Sequence, residues 1–537
     1  GVRHAILSPG SRCAPLSIAF ARHPDIQTRT LSDERSAAFV GLGMARLLKE
    51  PVVLVCTSGS AAYNYAPAVA EAYYQQIPLV VITADRPPEW IDQLDGQTIR
   101  QRAIYGRHIK GSYELPVAHA QQAEEDLWFT GRQVAEGLNL ATAYPAGPVH
   151  INVPIREPFY PEADEQPDFA KEVKVIRQRV NPHHFPREDA AHFQPEWEKA
   201  SKKLIICGQH VYDAPLAELI SQVSERQQIP VLADVISNMH PVAGAVRHAD
   251  VLLAQKDDAV LASLKPELLI TFGLSVMSKN LKLFLRKYRP QRHWHIQPSG
   301  TAADTFRALT QLIHAQPLTF FQQMQKAVKV GDTQRNFFLA WQTEEKQHRH
   351  FVEKLFESGH ADMDQPSEFQ AVQEVMRSLP DAAHLHLANS MAVRYANLIG
   401  INDYKSKVEV FANRGTSGID GSSSTAVGTA LASGELTVLL TGDLAFFYDR
   451  NAFWHNYLLP NLRIVLLNNH GGGIFRMIDG PARQPELEEY FVTRQALEAE
   501  NTAHDFGMDY QKISLRSQKE VAQLREILPC FLGRESQ

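Results

Sequence analysis

The sequence is short of cysteine, of charge of one sign and of long apolar runs, and each shortage removes a class of protein. Its four cysteines, Cys13, Cys56, Cys207 and Cys530, are spread over 537 residues with no CxxC pair. That spacing excludes a disulfide framework and a zinc knuckle. Cys56 and Cys207 end apolar runs and are expected to be small buried hydrophobes. The 54 basic side chains face 60 acidic ones, a net charge of -6. A nucleic-acid partner calls for a basic face, so none is expected. No apolar run approaches the roughly 18 residues of a membrane helix. The N-terminus carries no charged-then-apolar leader, so the expected location is cytoplasmic. The chain opens on Val2–Leu7 as on the start of a strand, and a few residues are expected to precede it.

What is present is material for several cores. Apolar types make up 44% and charged types 21% of the chain, the balance of an ordinary globular protein. The length exceeds one hydrophobic core and implies roughly three domains of about 150 residues. Val52–Cys56, Leu79–Thr83, Leu204–Cys207, Leu268–Phe272, Leu436–Thr441 and Ile464–Leu467 are short β-rich apolar runs, each followed by a turn and a helical pattern. Continuous apolar strands alternating with helices predict parallel sheets covered on both faces. The rhythm breaks twice. Residues 156–200 carry Pro158, Pro161, Pro167, Pro182, Pro186 and Pro195 among many charges, the composition of an extended linker. Residues 316–365 run helical and polar from Pro317 to Gly359, and Pro366-Ser367-Glu368 reads as a helix start. The expected fold is α/β, with three doubly wound parallel-sheet domains at 1–157, 195–330 and 366–537 and linkers at 158–194 and 331–365. The central domain has Cys207-Gly208 and Phe272-Gly273 at strand ends, as nucleotide-binding folds do, yet no GxGxxG. It is expected to hold no cofactor.

Two strand ends near the C-terminus carry oxygen ligands and glycine. Leu436–Thr441 delivers Gly442-Asp443, and Leu462–Leu467 delivers Asn468-Asn469 and then His470-Gly471-Gly472-Gly473. Ligands bind at the carboxyl ends of parallel strands. Asp443 offers a carboxylate oxygen, Asn469 an amide oxygen and Gly471 a backbone carbonyl, which suits Mg2+ (or Mn2+) on a diphosphate. Gly442 and Gly471–Gly473 let the backbone approach phosphates closely. Either turn alone is a common loop. As a pair on successive strands they resemble the thiamine-diphosphate motif of the decarboxylase and synthase superfamily, with Leu444 where a third glycine is usual. The resemblance implies that Gly442, Asp443, Leu444, Asn469 and Gly472 hold that cofactor, with the metal on Asp443, Asn469 and Gly471.

In the N-terminal part, Leu31-Ser32-Asp33-Glu34 leads into an apolar helical run. Taken alone, Glu34 is an acidic first-turn residue favoured by the helix dipole, and Asp33 has the same character. Enzymes of the superfamily use a Glu of this domain, from the partner subunit, to hydrogen-bond the cofactor's aminopyrimidine in a dry site. The resemblance implies that Glu34 is this activator and that the active site is shared between two copies.

More specific stretches follow. They are Ser8-Pro9-Gly10-Ser11-Arg12, Thr57-Ser58-Gly59-Ser60, Thr83-Ala84-Asp85-Arg86-Pro87, Gly96-Gln97-Thr98, Asn389-Ser390 before Arg394, Asn413-Arg414-Gly415-Thr416, and Gly442-Asp443-Leu444 with Asp449 and Asn451. Together they resemble the 2-succinyl-5-enolpyruvyl-6-hydroxy-3-cyclohexene-1-carboxylate (SEPHCHC) synthase family of menaquinone biosynthesis. That resemblance spans nearly the whole chain. It implies a transferase that decarboxylates 2-oxoglutarate and adds the succinyl carbanion equivalent to isochorismate, giving a pyruvate-retaining product and carbon dioxide. Both substrates are dianions, which planar guanidinium donors suit. By resemblance Arg12, Arg86, Arg394 and Arg414 are carboxylate clamps, helped by Ser11, Ser390, Lys279 and Gln97, and Gln97 joins Glu34 as a catalytic candidate. Arg35, Arg46 and Arg100 are left as ordinary solvated arginines.

Ser58 and Gly59 are further cofactor candidates. Ile419 looks like the apolar buttress of the bent cofactor, and Ile474 and Phe475 like walls beside the metal loop; plain core packing competes for all three. Gly96 stands where some relatives carry Asn, and Cys13 where Ser or Asn is usual. No histidine in these stretches is placed as a general base. The resemblance also implies a homo-oligomer, homodimer or homotetramer. One alternative is another thiamine-dependent 2-oxoacid decarboxylase or an acetolactate synthase-like enzyme. A catalytically dead scaffold is another, and intact Glu34, Asp443 and Asn469 argue against it. His183-His184, His293-Trp294-His295 and His348-Arg349-His350 have no matching Cys or carboxylate, and are read as surface or packing residues.

Overall fold

The computed structural model describes residues 1–117, 123–157, 159–162, 169, 174–178, 185–254, 257–326, 329–357, 366–401, 405 and 407–533. Pro158, Pro167, Pro182, His183, His184 and Gly359 lie outside the described residues. The apolar runs fold as their alternation predicts. β1 (His4–Leu7), β2 (Gln27–Thr30), β3 (Val52–Cys56), β4 (Leu79–Asp85), β5 (Gly111–Glu114) and β6 (Val149–Pro154) form one sheet in the order β2-β1-β3-β4-β6-β5. Every neighbouring pair is parallel. All five residues of β3 are buried, as a β-branched run between two neighbours and two helical layers requires. Leu7 stands opposite Thr30 and Val55, Cys56 opposite Thr83, and Asp85 opposite Pro154. The segments that follow therefore leave the sheet along one edge. These are Ser8–Arg12, Leu31–Glu34, Thr57–Gly59 and Arg86.

A second parallel sheet holds β7 (Lys203–Cys207), β8 (Val231–Ala233), β9 (Leu268–Phe272), β10 (Arg292–Gln297) and β11 (Gln311–His314), in the order β11-β10-β9-β7-β8. A third has four strands: β12 (Ala382–Leu387) pairs with β13 (Lys407–Phe411), and β14 (Thr437–Gly442) with β15 (Leu462–Leu467), both in parallel. Three parallel sheets covered by helices make this an α/β chain throughout. Among the described residues no helix is long and apolar enough to cross a membrane. The contacts divide the chain into two compact units. One comprises Gly1–Val180, Ala388–Ser390 and Asn413–Tyr510; the other comprises Asn181–Leu387, Met391–Ala412 and Gln511–Gln537.

In their described parts, both stretches expected to be linkers carry packed helices of the second unit. Helix Arg187–Lys199 buries Ala190 and Trp197, and the Trp197 indole donates to Gln227 Oε1 at 2.8 Å. Helix Asp332–Glu357 puts Phe337 and Trp341 into the core beside β7 and β9. Charge dominates both compositions, joined by proline in the first, but the few apolar residues fall at helical spacing, and they decide the packing.

In the first unit, helix Glu34–Leu48 starts at Asp33, whose carboxylate accepts from Ser36 N at 3.1 Å. Lys49 in the left-handed region (φ 56°) ends it, and Pro51 forbids continuation. Its residues from Ser36 to Arg46 are all buried, so it is an interior helix. Helix Ser422–Ala432, buried from Ser422 to Ala430, lies against it. A Cβ on Gly43 would collide with the Thr425 carbonyl, one on Gly428 with that of Val40, and one on Gly421 with the Phe39 ring. The two backbones nearly touch, and only glycine permits that. Each mid-helix glycine costs about 1 kcal/mol against alanine, which the close packing offsets.

Candidate cofactor and substrate site

The register of β14 and β15 sets two loops side by side. Gly442 stands opposite Leu467, so Asp443 and Asn468 leave the sheet together. Asp443 is buried, at 3% exposure. Its Oδ1 accepts from Leu444 N at 2.9 Å and its Oδ2 from Gln495 Nε2 at 2.8 Å. Gln495 also donates to Asn468 Oδ1 at 3.3 Å, and its backbone N–H to His470 O at 3.1 Å. One amide thus ties both loops together. Asn469 Oδ1 accepts from Gly471 N at 3.2 Å, and Gly472 N donates to Val492 O at 2.7 Å. A Cβ on Gly471 would stand 2.9 Å from Val492, so the turn requires glycine. Phe475 packs its ring on Phe491 at 5.8 Å, and Ile474 shares its short 3-10 turn.

The chemistry of this set fits a metal diphosphate. Asp443, Asn469 and the Gly471 carbonyl are oxygen donors, and the backbone around them is glycine. Among the described residues nothing lies within 4 Å of a Cβ built on Gly442, so there is room for a phosphate against the chain. No three His, Cys, Asp or Glu side chains among the described residues gather as a metal site of their own. A cation held here would need ligand oxygens to complete its shell.

Glu34 opens its helix, half-buried, and accepts from Asn64 Nδ2 at 3.1 Å. Its two neighbours in sequence are both tied to the segment after Asp443. Asp33 Oδ2 accepts from Asn451 Nδ2 at 2.7 Å. Arg35 donates to Tyr448 O at 2.8 Å, lies 4.7 Å over the Tyr448 ring and sits 4.0 Å from Asp449. The expectation of a solvated Arg35 is therefore corrected: it is half-buried and held against Tyr448 and Asp449. Arg46 is buried too, at 8% exposure, whereas Arg100 is exposed and pairs with Asp92 at 2.9 Å. The resemblance places Glu34 and Asp443 in different copies; here the residues flanking Glu34 reach the segment after Asp443 within one chain.

Asp449 itself is fully buried. It accepts from Ser424 N and Ser424 Oγ, both at 2.7 Å, at the start of helix Ser422–Ala432. Burial pushes its carboxyl up to about 7 against the pull of these bonds and of Arg35.

The other N-terminal candidates line the edge where their strands end. Ser11 is exposed. Arg12 is 7% exposed; it donates to Ile155 O at 2.9 Å and lies 4.4 Å over the Phe159 ring. Arg86 donates to Gly96 O at 3.0 Å and pairs with Asp95 at 2.9 Å, holding the loop that carries Gln97. Ser58 is buried. Gly59 (φ 86°) donates its N–H to Gln101 Oε1 at 2.8 Å, and Gln97 O would stand 3.3 Å from a Cβ there. Beneath them Asn152 accepts from Thr83 and Gln101 and donates to Asp85 and Glu114. Burial raises the pKa of both carboxyls.

Arg414 donates to Asn389 Oδ1 at 2.9 Å, and Asn389 Nδ2 donates to Asn413 O at 2.7 Å and Gly418 O at 2.6 Å. Ile419 follows, half-buried. Gln97, Ser390, Ser417 and His470 hold φ of 54°, 76°, 64° and 60°. Left-handed non-glycine residues cost on the order of 1 kcal/mol each and cluster at functional loops. Two candidates fall elsewhere. Lys279, exposed at the start of helix Lys279–Lys287, and Arg394, in helix Met391–Ile399, belong to the second unit. Gln495, Asn152 and Glu71 escaped the sequence reading, since no local pattern marks them.

Residues 1–104 match the family described as thiamine pyrophosphate enzyme, N-terminal TPP binding domain, and residues 171–387 the one described as middle domain of thiamine pyrophosphate. The SEPHCHC synthase of Cytophaga hutchinsonii is 48% identical over 519 residues, covering 95% of this chain and 88% of the relative. That of Flavobacterium psychrophilum is 41% identical over 512 residues, again 95% and 88%. The Bacteroides fragilis enzyme is 36% identical over 530 residues, 97% and 90%. The chain belongs to the SEPHCHC synthase family. In this SEPHCHC synthase family member the N-terminal match contains Ser11, Arg12, Glu34, Ser58, Gly59, Arg86 and Gln97, the residues that the first sheet brings to one edge.

Proposed function

We propose that the chain decarboxylates 2-oxoglutarate and adds the resulting four-carbon unit to isochorismate, forming SEPHCHC and carbon dioxide on the route to menaquinone. It is a thiamine-diphosphate-dependent transferase. The observation that carries the reading is the 48% identity over 95% of the chain to a SEPHCHC synthase. The β14–β15 register that aligns Asp443 with the Asn468-Asn469 turn supports it.

When bound, thiamine diphosphate supplies an electron sink for loss of carbon dioxide from a 2-oxo acid. Asp443, Asn469 and the Gly471 carbonyl hold its divalent metal, Mg2+ (or Mn2+). Gly442, Leu444 and Gly472 would carry the diphosphate, and Ser58 and Gly59 of the N-terminal sheet would also contact the cofactor. Ile419, Ile474 and Phe475 give it apolar contact and keep water out. With the cofactor bound, the Glu34 carboxylate would accept a hydrogen bond at the aminopyrimidine and so orient that ring and move its proton. Arg12, Arg86 and Arg414, with the hydroxyls of Ser11 and Ser390, bind the substrate carboxylates; Arg394 and Lys279, in the second unit, are substrate contacts by the family resemblance alone. Gln97 orients a substrate oxygen. The working form is a homodimer or homotetramer in the cytoplasm, which light scattering of the purified protein tests for assembly.

The functional test is omission. Protein, thiamine diphosphate, Mg2+, 2-oxoglutarate and isochorismate are mixed, each is left out in turn, and isochorismate absorbance is followed. Loss that requires every component is expected. Carbon dioxide release with isochorismate untouched would leave a thiamine-dependent decarboxylase and remove the pathway assignment.

A further inference from the structure

Glu71 sits in the alanine-rich helix Ala66–Gln75 with 1% of its surface exposed. A buried carboxylate is costly unless donors fill it, and here they come from a loop far along the chain. Oε1 accepts from Gly415 N at 2.8 Å and from Gln75 Nε2 at 2.5 Å. Oε2 accepts from Thr416 N at 2.6 Å and Thr416 Oγ1 at 2.5 Å. All of the roughly four acceptor positions of a carboxylate are in use. The loop is pressed onto the helix, since a Cβ on Gly415 would stand 2.8 Å from Glu71 O and 3.0 Å from Tyr74 Cβ. The residue just before this tether is Arg414. Its own carbonyl neighbour, Asn413 O, is held from the other side by Asn389, which also accepts from the Arg414 guanidinium.

We propose that Glu71 is a positioning residue for Arg414: it fixes the backbone after Arg414 so that the guanidinium is set, with Asn389, in the direction that a substrate carboxylate meets. This rests on reading Arg414 as a carboxylate clamp. Glu71 touches no substrate. It acts by charge-assisted bonds that a neutral amide cannot replace, because Glu71→Gln turns one acceptor into a donor facing an N–H.

The test is a double-mutant cycle of Glu71→Gln and Arg414→Ala, read as KM and kcat for both substrates. Thiamine diphosphate affinity by intrinsic fluorescence and the thermal midpoint are measured alongside. Glu71→Gln is expected to raise KM for one dianionic substrate about tenfold or more, with kcat and cofactor affinity changed less than about threefold. In the Arg414→Ala background it should add no more than about twofold. Thr416→Val removes one donor and leaves the fold's backbone bonds; it is expected to move KM in the same direction by less, and keeps the idea open to refutation if Glu71→Gln fails to fold. An equal effect of Glu71→Gln with and without Arg414, or no effect of either tether variant on KM, overturns the proposal while Arg414 stands as a clamp. A silent Arg414→Ala removes the clamp reading and the proposal with it.

Discussion

Asp449→Asn isolates one buried proton. An ordinary aspartate titrates near 3.8, and burial pushes Asp449 to about 7 despite two bonds from Ser424 and the nearby Arg35. Below the ordinary value the side chain is neutral in folded and unfolded chains alike, and its contribution to stability is fully present. Between about 4 and about 7 the folded chain keeps the proton and the unfolded chain releases it, so stability falls as pH rises. The slope reaches about 1.4 kcal/mol per pH unit, and the whole window amounts to about 4 kcal/mol. Above the folded value the loss is complete. Asparagine has no proton to lose. The stability difference between variant and wild type, from urea midpoints taken at about pH 4 and about pH 8, should therefore shift toward the variant by a few kcal/mol. Any fixed cost of the amide cancels in that comparison. A difference that is the same at both ends would refute the placement of Asp449 as a buried acid.

Two other perturbations probe the site and its scaffold. Gln495→Ala removes the amide that joins Asp443 to the Asn468 turn; metal and cofactor dissociation constants should rise about 10- to 100-fold in a fluorescence titration, and unchanged affinity would count against the joined loops. Gly43→Val should lower denaturation stability by about 1–3 kcal/mol through the helix crossing, whereas Gly434→Val, at an exposed position with no described atom within 4 Å of the new Cβ, should change it little. Equal effects of the two would contradict the close backbone approach.

The strands were legible because their signal is local. Val52–Cys56 and Leu268–Phe272 begin and end where the apolar runs do, and the turns after β14 and β15 announce themselves by Gly442-Asp443 and Asn468-Asn469. Partners across long sequence distances were not legible. Glu71 looks like any solvated acid in a helix, and only the fold brings Gly415 and Thr416 to it. Gln495 lies in an unremarkable polar run, and Arg35 beside Glu34 reads as a surface cation until the fold brings Tyr448 and Asp449 to it. The packing of the stretches expected to be linkers was hidden for a related reason: charge dominates both, with proline in the first, and it outnumbers the few apolar side chains, such as Ala190, Phe337 and Trp341, that pack.

The central claim is that Glu34 and the Asp443 loop act on one bound cofactor. Glu34→Gln tests it when thiamine diphosphate affinity and turnover are measured on the same preparation. The account predicts affinity within about threefold of wild type, since the residues proposed to hold the diphosphate and metal are unchanged, and isochorismate consumption reduced at least about a hundredfold, the scale of a lost acid–base group. Turnover near the wild-type rate with cofactor bound would contradict it.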